Sequence, residues 1–123
     1  MPAPREVYFF KDYFLRFYKE QTEETRKKIK WELKIFRELD SIPEEYLKHI
    51  EQGIYELRAT SHGNIFRVCC CFDEGNIIVL FNGFQKKTNQ TPRREIERAL
   101  RVRDEYREAK AKGEIDDLLG RAP

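Results

Sequence analysis

Apolar residues recur every three or four positions in the first third of the chain and alternate with polar residues in its centre. The first spacing is typical of amphipathic helices, and the second is typical of strands. Asp12 and Thr22 stand immediately before the two helical stretches, and both residue types are favoured at the N-cap of a helix. The pattern therefore predicts a strand at 7–10, helices at 12–20 and 22–39, and a turn or 3-10 segment at 43–50.

Three apolar runs in the centre of the chain are separated by two short clusters of turn residues. The clusters, at 61–64 and 73–76, predict three consecutive strands that form an antiparallel meander. Both faces of these strands carry apolar residues, so helices must cover one face well and the other in part. The expected fold is α+β in the order β-α-α-β-β-β-α, with a small, mainly antiparallel sheet packed by the N-terminal helices and a C-terminal helix.

The third strand of the meander ends in Asn82-Gly83, a dipeptide that can form a hairpin turn. A hairpin would leave Phe84 as the single apolar residue of its second arm. We therefore expect the strand to continue, with Phe84 on the face that carries Ile78 and Leu80.

The last helix is predicted to begin at Thr91-Pro92 and to end near Gly113. Threonine suits the N-cap, proline suits the first helical position, and glycine is common just after the last turn. With 123 residues the chain is expected to form one domain, which we place at residues 1–112. The acidic segment 113–123 is expected to fray.

The composition excludes several classes of protein. The chain has no apolar run of about 18 residues and its first residues lack an apolar signal-peptide core, so we expect a cytoplasmic protein. The three cysteines are consecutive, Cys69–Cys71, and adjacent residues of a strand point to opposite faces, so they are predicted to be buried free thiols. The sequence contains no glycine-rich phosphate loop and no metal-ligand spacing, and we expect no cofactor and no metal.

Basic residues are concentrated towards the C-terminal part of the chain. Residues 82–112 contain ten basic and five acidic side chains, whereas residues 1–53 contain eleven of each. Such a segment fits either a polyanion-binding surface or a solvated helix face. Lys86 and Lys87 follow the third strand of the meander, at the start of this segment.

Two arginines lie within the preceding strands, Arg58 in the first and Arg67 in the second. An arginine in an apolar strand is costly unless it is paired or faces a cleft, so Arg67 either forms an ion pair, for example with Glu56, or binds an anion. Because the strands of a meander are neighbours, Arg58, Arg67, Lys86 and Lys87 are predicted to converge on one region.

A cluster of this kind suits cleavage of RNA by its own 2′-hydroxyl. Guanidinium groups match phosphate oxygens and stay charged, and a lysine among other cations has a lowered pKa that favours proton transfer near neutral pH. This chemistry needs no metal ion.

Several motifs of the chain resemble the RelE/ParE toxin superfamily, in particular its phage-derived HigB-like branch. The resemblance runs from about residue 7 to 107 and rests on Gly-Ile-Tyr-Glu-Leu-Arg at 53–58, Asn-Ile-Phe-Arg-Val at 64–68, Gly-Phe-Gln-Lys-Lys-Thr-Asn-Gln-Thr-Pro at 83–92 and Glu-Ile-Glu-Arg-Ala at 95–99. It implies a compact α+β toxin of a type II toxin–antitoxin pair that cleaves mRNA on the ribosome. The implied partners are a helix-turn-helix antitoxin, the ribosome and mRNA, with DNA reached only through the antitoxin and no membrane.

The resemblance also implies roles for individual residues. Arg58, Arg67, Lys86 and Lys87 correspond to the catalytic basic residues, and Lys48, Arg93 and Arg94 are expected to bind RNA. The chain lacks the C-terminal tyrosine or histidine of many relatives, and His49, just before the first strand of the meander, is either a candidate general base or a surface histidine without a catalytic role. The alternative functions are a ParE-like gyrase inhibitor, which is not a nuclease, and an inactive phage-derived protein that only binds an antitoxin.

Overall fold

The computed structural model describes residues 5–87 and 89–123 of the chain, in which six strands form one sheet that lies between helices. The strands, in chain order, are β1 (Glu6–Phe10), β2 (Leu47–Glu51), β3 (Ile54–Ser61), β4 (Asn64–Asp73), β5 (Ile77–Lys86) and β6 (Leu119–Arg121). The helices are α1 (Tyr13–Lys19), α2 (Glu23–Glu38) and α3 (Arg93–Ala111), and a 3-10 turn spans Ile115–Asp117. The order of strands across the sheet is β2-β3-β4-β5-β1-β6.

The sheet confirms the predicted α+β fold and its central meander. β2, β3, β4 and β5 pair in antiparallel fashion, β1 pairs in parallel with β5, and β6 pairs in antiparallel fashion with β1. The predicted cap of α2 is also present, since the hydroxyl oxygen of Thr22 accepts a hydrogen bond from the backbone N–H of Thr25 at 3.2 Å.

Two apolar cores hold the three layers together. On one face of the sheet, α1 and α2 bury Phe14, Ile29 and Phe36 against the strands, and on the other face α3 buries Ala99 and Val102. Full burial of a large apolar side chain contributes about 1.5–3 kcal/mol. The three free cysteines divide as predicted: Cys70 belongs to the first core, and Cys69 and Cys71 belong to the second.

A bulge in β5 changes the face on which the end of this strand presents its side chains. Val68 pairs with Gly83 and Cys70 pairs with Leu80, so two residues of β5 lie opposite one residue of β4. Phe84 therefore packs in the α3 core, whereas Leu80 packs in the core of α1 and α2. The prediction that both share a face is wrong, because a bulge reverses the alternation of a strand.

Gly83 follows the bulge and lies against α1. A Cβ atom at this position would come within 2.4 Å of the Phe17 ring, a distance that a side chain cannot occupy. Glycine therefore allows β5 to pass close beneath α1.

Neither outer strand of the sheet, β2 or β6, was predicted as a strand from the sequence. Residues 43–50 are predicted as a turn, but Leu47–Glu51 forms edge strand β2 beside β3. The segment after residue 112 is predicted to fray, but it forms the 3-10 turn and β6, and Ala122 is buried and donates its N–H to the carbonyl of Val7 at 3.0 Å. The sheet thus extends beyond the domain boundary placed at residue 112.

The N-cap of α3 differs from the predicted one, which was Thr91. Pro92 is the N-cap residue and the helix begins at Arg93, while the Thr91 side chain makes no capping hydrogen bond. Over the part of the chain that the structure describes, no helix is long and apolar enough to cross a membrane.

Candidate active site at the start of helix α3

A cavity of about 390 Å³ opens on the α3 face of the sheet, where β2, β3 and the end of β5 meet the loop before α3. We call it the Lys86 cavity. Its polar lining includes Lys48, Glu56, Arg58, Lys86, Gln90 and Thr91.

The sheet register explains why basic residues from three strands meet here. Lys48 of β2 lies directly opposite Glu56 of β3, so the two residues share a face. Arg58 lies two positions further along β3 and therefore also shares this face. The bulge in β5 brings Lys86 to the same side, and this combination places three of the predicted site residues around one cavity.

Arg67 lies behind the cavity rather than in its wall. It is 6% exposed, and its Nε lies 2.9 Å from Oε1 of Glu56, which is itself 1% exposed. The ion pair with Glu56 that the sequence analysis left open is thus formed. Because Glu56 lines the cavity and Arg67 does not, Arg67 can act on a ligand through the position and charge of Glu56.

Glu56 and Thr91 also line the cavity, although neither was predicted as a site residue from the sequence. Besides its contact with Arg67, Glu56 accepts a hydrogen bond from the Thr91 hydroxyl through Oε2 at 2.5 Å, and Oε1 lies 3.9 Å from Nε of Arg58. The sequence signal for Glu56 is its strand parity with Arg58. No comparable signal exists for Thr91, because a threonine before a proline and a helical stretch predicts a helix cap.

Lys86 has a lowered pKa. Burial is the largest cause, and the positive charges of Arg67, Arg58 and Lys48 lower the pKa further, against an opposing effect of the Glu56 carboxylate. Lys86 therefore loses its proton more readily than an ordinary lysine. A half-buried amine of this kind can both carry charge and transfer a proton.

Lys87, Arg93 and Arg94 surround a neighbouring cavity of about 650 Å³ that shares Gln90 and Thr91 with the first. Arg93 forms an ion pair with Glu51 at 2.5 Å, and Arg94 is exposed. The structure thus separates the adjacent residues Lys86 and Lys87, which the sequence analysis placed in one site. Thr88, which belongs to the same sequence motif, lies outside the described residues.

His49 lies at the rim of the Lys86 cavity, but its ring is directed elsewhere. The ring packs edge-on against Tyr55 with a centroid distance of 5.0 Å, and Tyr55 packs against the core of α1 and α2, on the other face of the sheet. Within residues 5–87 and 89–123, no group of three or more His, Cys, Asp and Glu side chains is arranged to hold a metal ion.

One family model matches the part of the chain that contains this cavity. The model of the family described as phage derived protein Gp49-like (DUF891) matches residues 16–104. The chain belongs to this family. The Gp49-like match includes every predicted site residue, from Lys48 to Arg94, and it agrees with the phage-derived character that the sequence motifs imply. A search of curated proteins gave no match.

Proposed function

We propose that this Gp49-like chain is a RelE-like toxin of a type II toxin–antitoxin pair, close to the HigB branch, and that it cleaves mRNA on the ribosome at the Lys86 cavity. The observation that carries the proposal is the lysine of lowered pKa that shares a cavity with Lys48 and Arg58. The family match and the RelE-like motifs support the same function from the sequence.

Phosphate binding falls to Arg58 and Lys48. The guanidinium of Arg58 can donate two parallel hydrogen bonds to phosphate oxygens, and Lys48 adds a mobile positive charge from the edge strand. The Arg67–Glu56 pair fixes the carboxylate that lies between these cations. Cations held on a rigid sheet stabilise the extra negative charge of the transition state without having to reorganise.

Proton transfer falls to Lys86. In its neutral form, the Lys86 amine accepts the proton of the 2′-hydroxyl while O2′ forms a bond to phosphorus. The bond between phosphorus and O5′ breaks, and the proton passes to O5′. The products are a 2′,3′-cyclic phosphate and a 5′-hydroxyl, and the reaction uses no oxidant or other reactant.

Lys87, Arg93 and Arg94 extend the basic surface beyond the cleavage site. In this proposal they bind the backbone of mRNA or ribosomal RNA, for which the N-terminus of α3 provides additional attraction. The helix-turn-helix antitoxin of the pair silences the toxin, and DNA is reached only through it.

Expression of the chain without an antitoxin tests the proposal. We expect growth arrest and new, codon-phased 5′ ends in a reporter mRNA when these are mapped by primer extension. Lys86→Ala and Arg58→Ala should relieve the arrest and remove the new ends while the proteins remain folded by circular dichroism. Lys30→Ala removes the same charge from an exposed position on α2 and serves as the matched control.

Other outcomes would reject the proposal in distinct ways. A folded Lys86→Ala protein that cuts mRNA as the parent does would refute the assigned site. Intact mRNA together with a DNA-damage response would indicate gyrase inhibition, and no effect on growth would indicate a protein that only binds its antitoxin.

A further inference from the structure

A second cavity, of about 400 Å³, lies between the C-terminal half of α3 and the turn that joins β2 to β3. We call it the Arg103 cavity, after the buried arginine that lines it. It opens on the same face of the sheet as the Lys86 cavity. Arg93, beside the first site, and Arg103 are ten residues apart on α3, which corresponds to about 15 Å along the helix axis.

Arg103 is a buried cation whose hydrogen bonding is incomplete. It is 8% exposed and donates from Nη1 to the backbone carbonyl of Gln52. Its Nε is buried and has no hydrogen-bond partner among the described residues. A buried guanidinium with an unused donor is costly. Arg103 also lines the cavity, so an anion bound there would offset the charge of this guanidinium.

The lining of the cavity has an excess of positive charge. Its charged side chains are Arg103, Arg107, Lys110 and Asp73. Lys110 and Asp73 form an ion pair of 2.7 Å, and the Tyr106 hydroxyl also donates to Asp73 at 2.5 Å, so this carboxylate is already satisfied. The guanidinium groups of Arg103 and Arg107 remain, which suits the charge of a phosphate group better than that of a single carboxylate.

An apolar wall adjoins these two arginines. Gly53, Cys71 and Ala111 line the cavity, and its volume lies within the range of about 300–1,000 Å³ that is common for small-ligand sites. Gly53 has a φ of +78°, a backbone conformation that favours glycine, and lies beside Nη1 of Arg103.

We propose that the Arg103 cavity is a second nucleotide-binding site, in which Arg103 and Arg107 bind the phosphate and the apolar wall receives the base or sugar. The nucleotide is either a free mononucleotide or one unit of an RNA strand. In the second case the site extends the path of the substrate proposed for the Lys86 cavity.

The test follows the Nε–Hε signal of Arg103 by NMR in the full chain during titration with AMP, adenosine and a single-stranded RNA hexamer. We expect AMP to shift this signal and adenosine, which lacks the phosphate, to leave it in place. Arg107→Gln should weaken AMP binding about tenfold, the loss expected for a hydrogen bond to a charged group. Arg101→Gln, an equal change of charge at an exposed position outside the lining, should not weaken it.

The arms of the experiment separate the two sources of the nucleotide. A shift with AMP assigns the site to free nucleotides, whereas a shift with the hexamer alone assigns it to an RNA strand. Repeating the AMP titration with Lys86→Gln keeps the result independent of the proposed cleavage site, because AMP binding should persist in that variant.

Three results would overturn the proposal. The first is a signal of Arg103 that none of the three ligands moves. The second is equal weakening of AMP binding by Arg107→Gln and Arg101→Gln. The third is binding of a glutamate-rich peptide, but not of AMP, at this cavity, which would make it a site for an acidic protein partner.

Discussion

The hydroxyl of Thr91 donates a hydrogen bond of 2.5 Å to Oε2 of Glu56 and so connects the loop before α3 to the buried ion pair beneath the Lys86 cavity. Glu56 is thereby held from two sides, by Arg67 in β4 and by Thr91 in the loop. The position of this one carboxylate depends on both contacts.

Replacing Thr91 with valine keeps the shape of the side chain and removes the donor. We expect the free energy of unfolding to fall by about 1–3 kcal/mol, because the buried carboxylate loses a hydrogen bond. Urea denaturation measures the change. Thr60→Val, at an exposed position of β3, is the matched control, and an equal loss in both variants would contradict the assigned bond.

The Arg67–Glu56 pair should show strong coupling between its partners. Arg67→Met alone leaves Glu56 without its closest cation, and we expect a loss of about 3–5 kcal/mol. Adding Glu56→Gln to Arg67→Met should cost less than the sum of the two single changes, by at least about 1 kcal/mol. A double-mutant cycle by urea denaturation measures the coupling, and additive losses would show that the two charges do not interact.

Lys86 should titrate below the ordinary lysine value of 10.5. Following its ¹³Cε signal by NMR gives the pKa directly. Lys48→Gln removes one of the charges that lower this pKa, so the variant should titrate at higher pH than the parent. Lys30→Gln removes a charge outside the cavity, and an identical shift in both variants would mean that net charge, rather than the cluster, sets the pKa of Lys86.

The same shift has a consequence for stability. Between the lowered pKa of folded Lys86 and its unfolded value, the unfolded state binds more protons, so the free energy of unfolding should rise with pH in that window. Lys86→Met should lack this contribution to the pH dependence, which urea denaturation at several pH values measures.

Glu32 of α2 should give a pH dependence of the opposite sign. Burial raises the pKa of this carboxyl to about 8, while Lys28 and Arg67 lower it in part. The folded state therefore binds the proton more tightly than the unfolded state, and the associated stability is lost as pH rises from about 4.5 to about 8.

Replacement of Glu32 with glutamine isolates this effect. The parent should lose on the order of a few kcal/mol relative to Glu32→Gln across that window, as a shift of several pKa units implies. Glu38→Gln, an exposed change on the same helix, controls for the loss of a charge. A constant difference between the parent and Glu32→Gln at all pH values would contradict the raised pKa.

Local pattern predicted most of the fold because the long elements carry their own signals. The apolar spacing of α2 and the turn clusters between β3, β4 and β5 arise from residues close together in sequence. β2 and β6 gave no such signal, since each is a short edge strand of at most five residues that is stabilised mainly by pairing with its neighbour.

The sequence predicted those parts of the candidate site that follow from the order of neighbouring strands. Arg58 and Lys86 lie on strands that flank β4, and the structure brings both to one cavity. No local pattern encodes the burial of Arg67. The contact between Thr91 and Glu56 joins side chains 35 positions apart, so no local pattern encodes it either. Strand alternation by itself separates Lys86 from Lys87, and the bulge in β5 decides which of the two faces the cavity.

That bulge means that the length of β5, rather than the chemistry of its last residues, selects which lysine enters the site. Two identical side chains stand next to each other, and the single extra residue near Phe81 and Asn82 assigns the cavity to Lys86 and the outer surface to Lys87. If the bulged pairing with β4 is kept, deleting one residue there would bring Lys87 to the position of Lys86 and move Lys86 to that of Gln85, on the opposite face. A one-codon deletion can therefore change which lysine faces the cavity while every basic residue is retained.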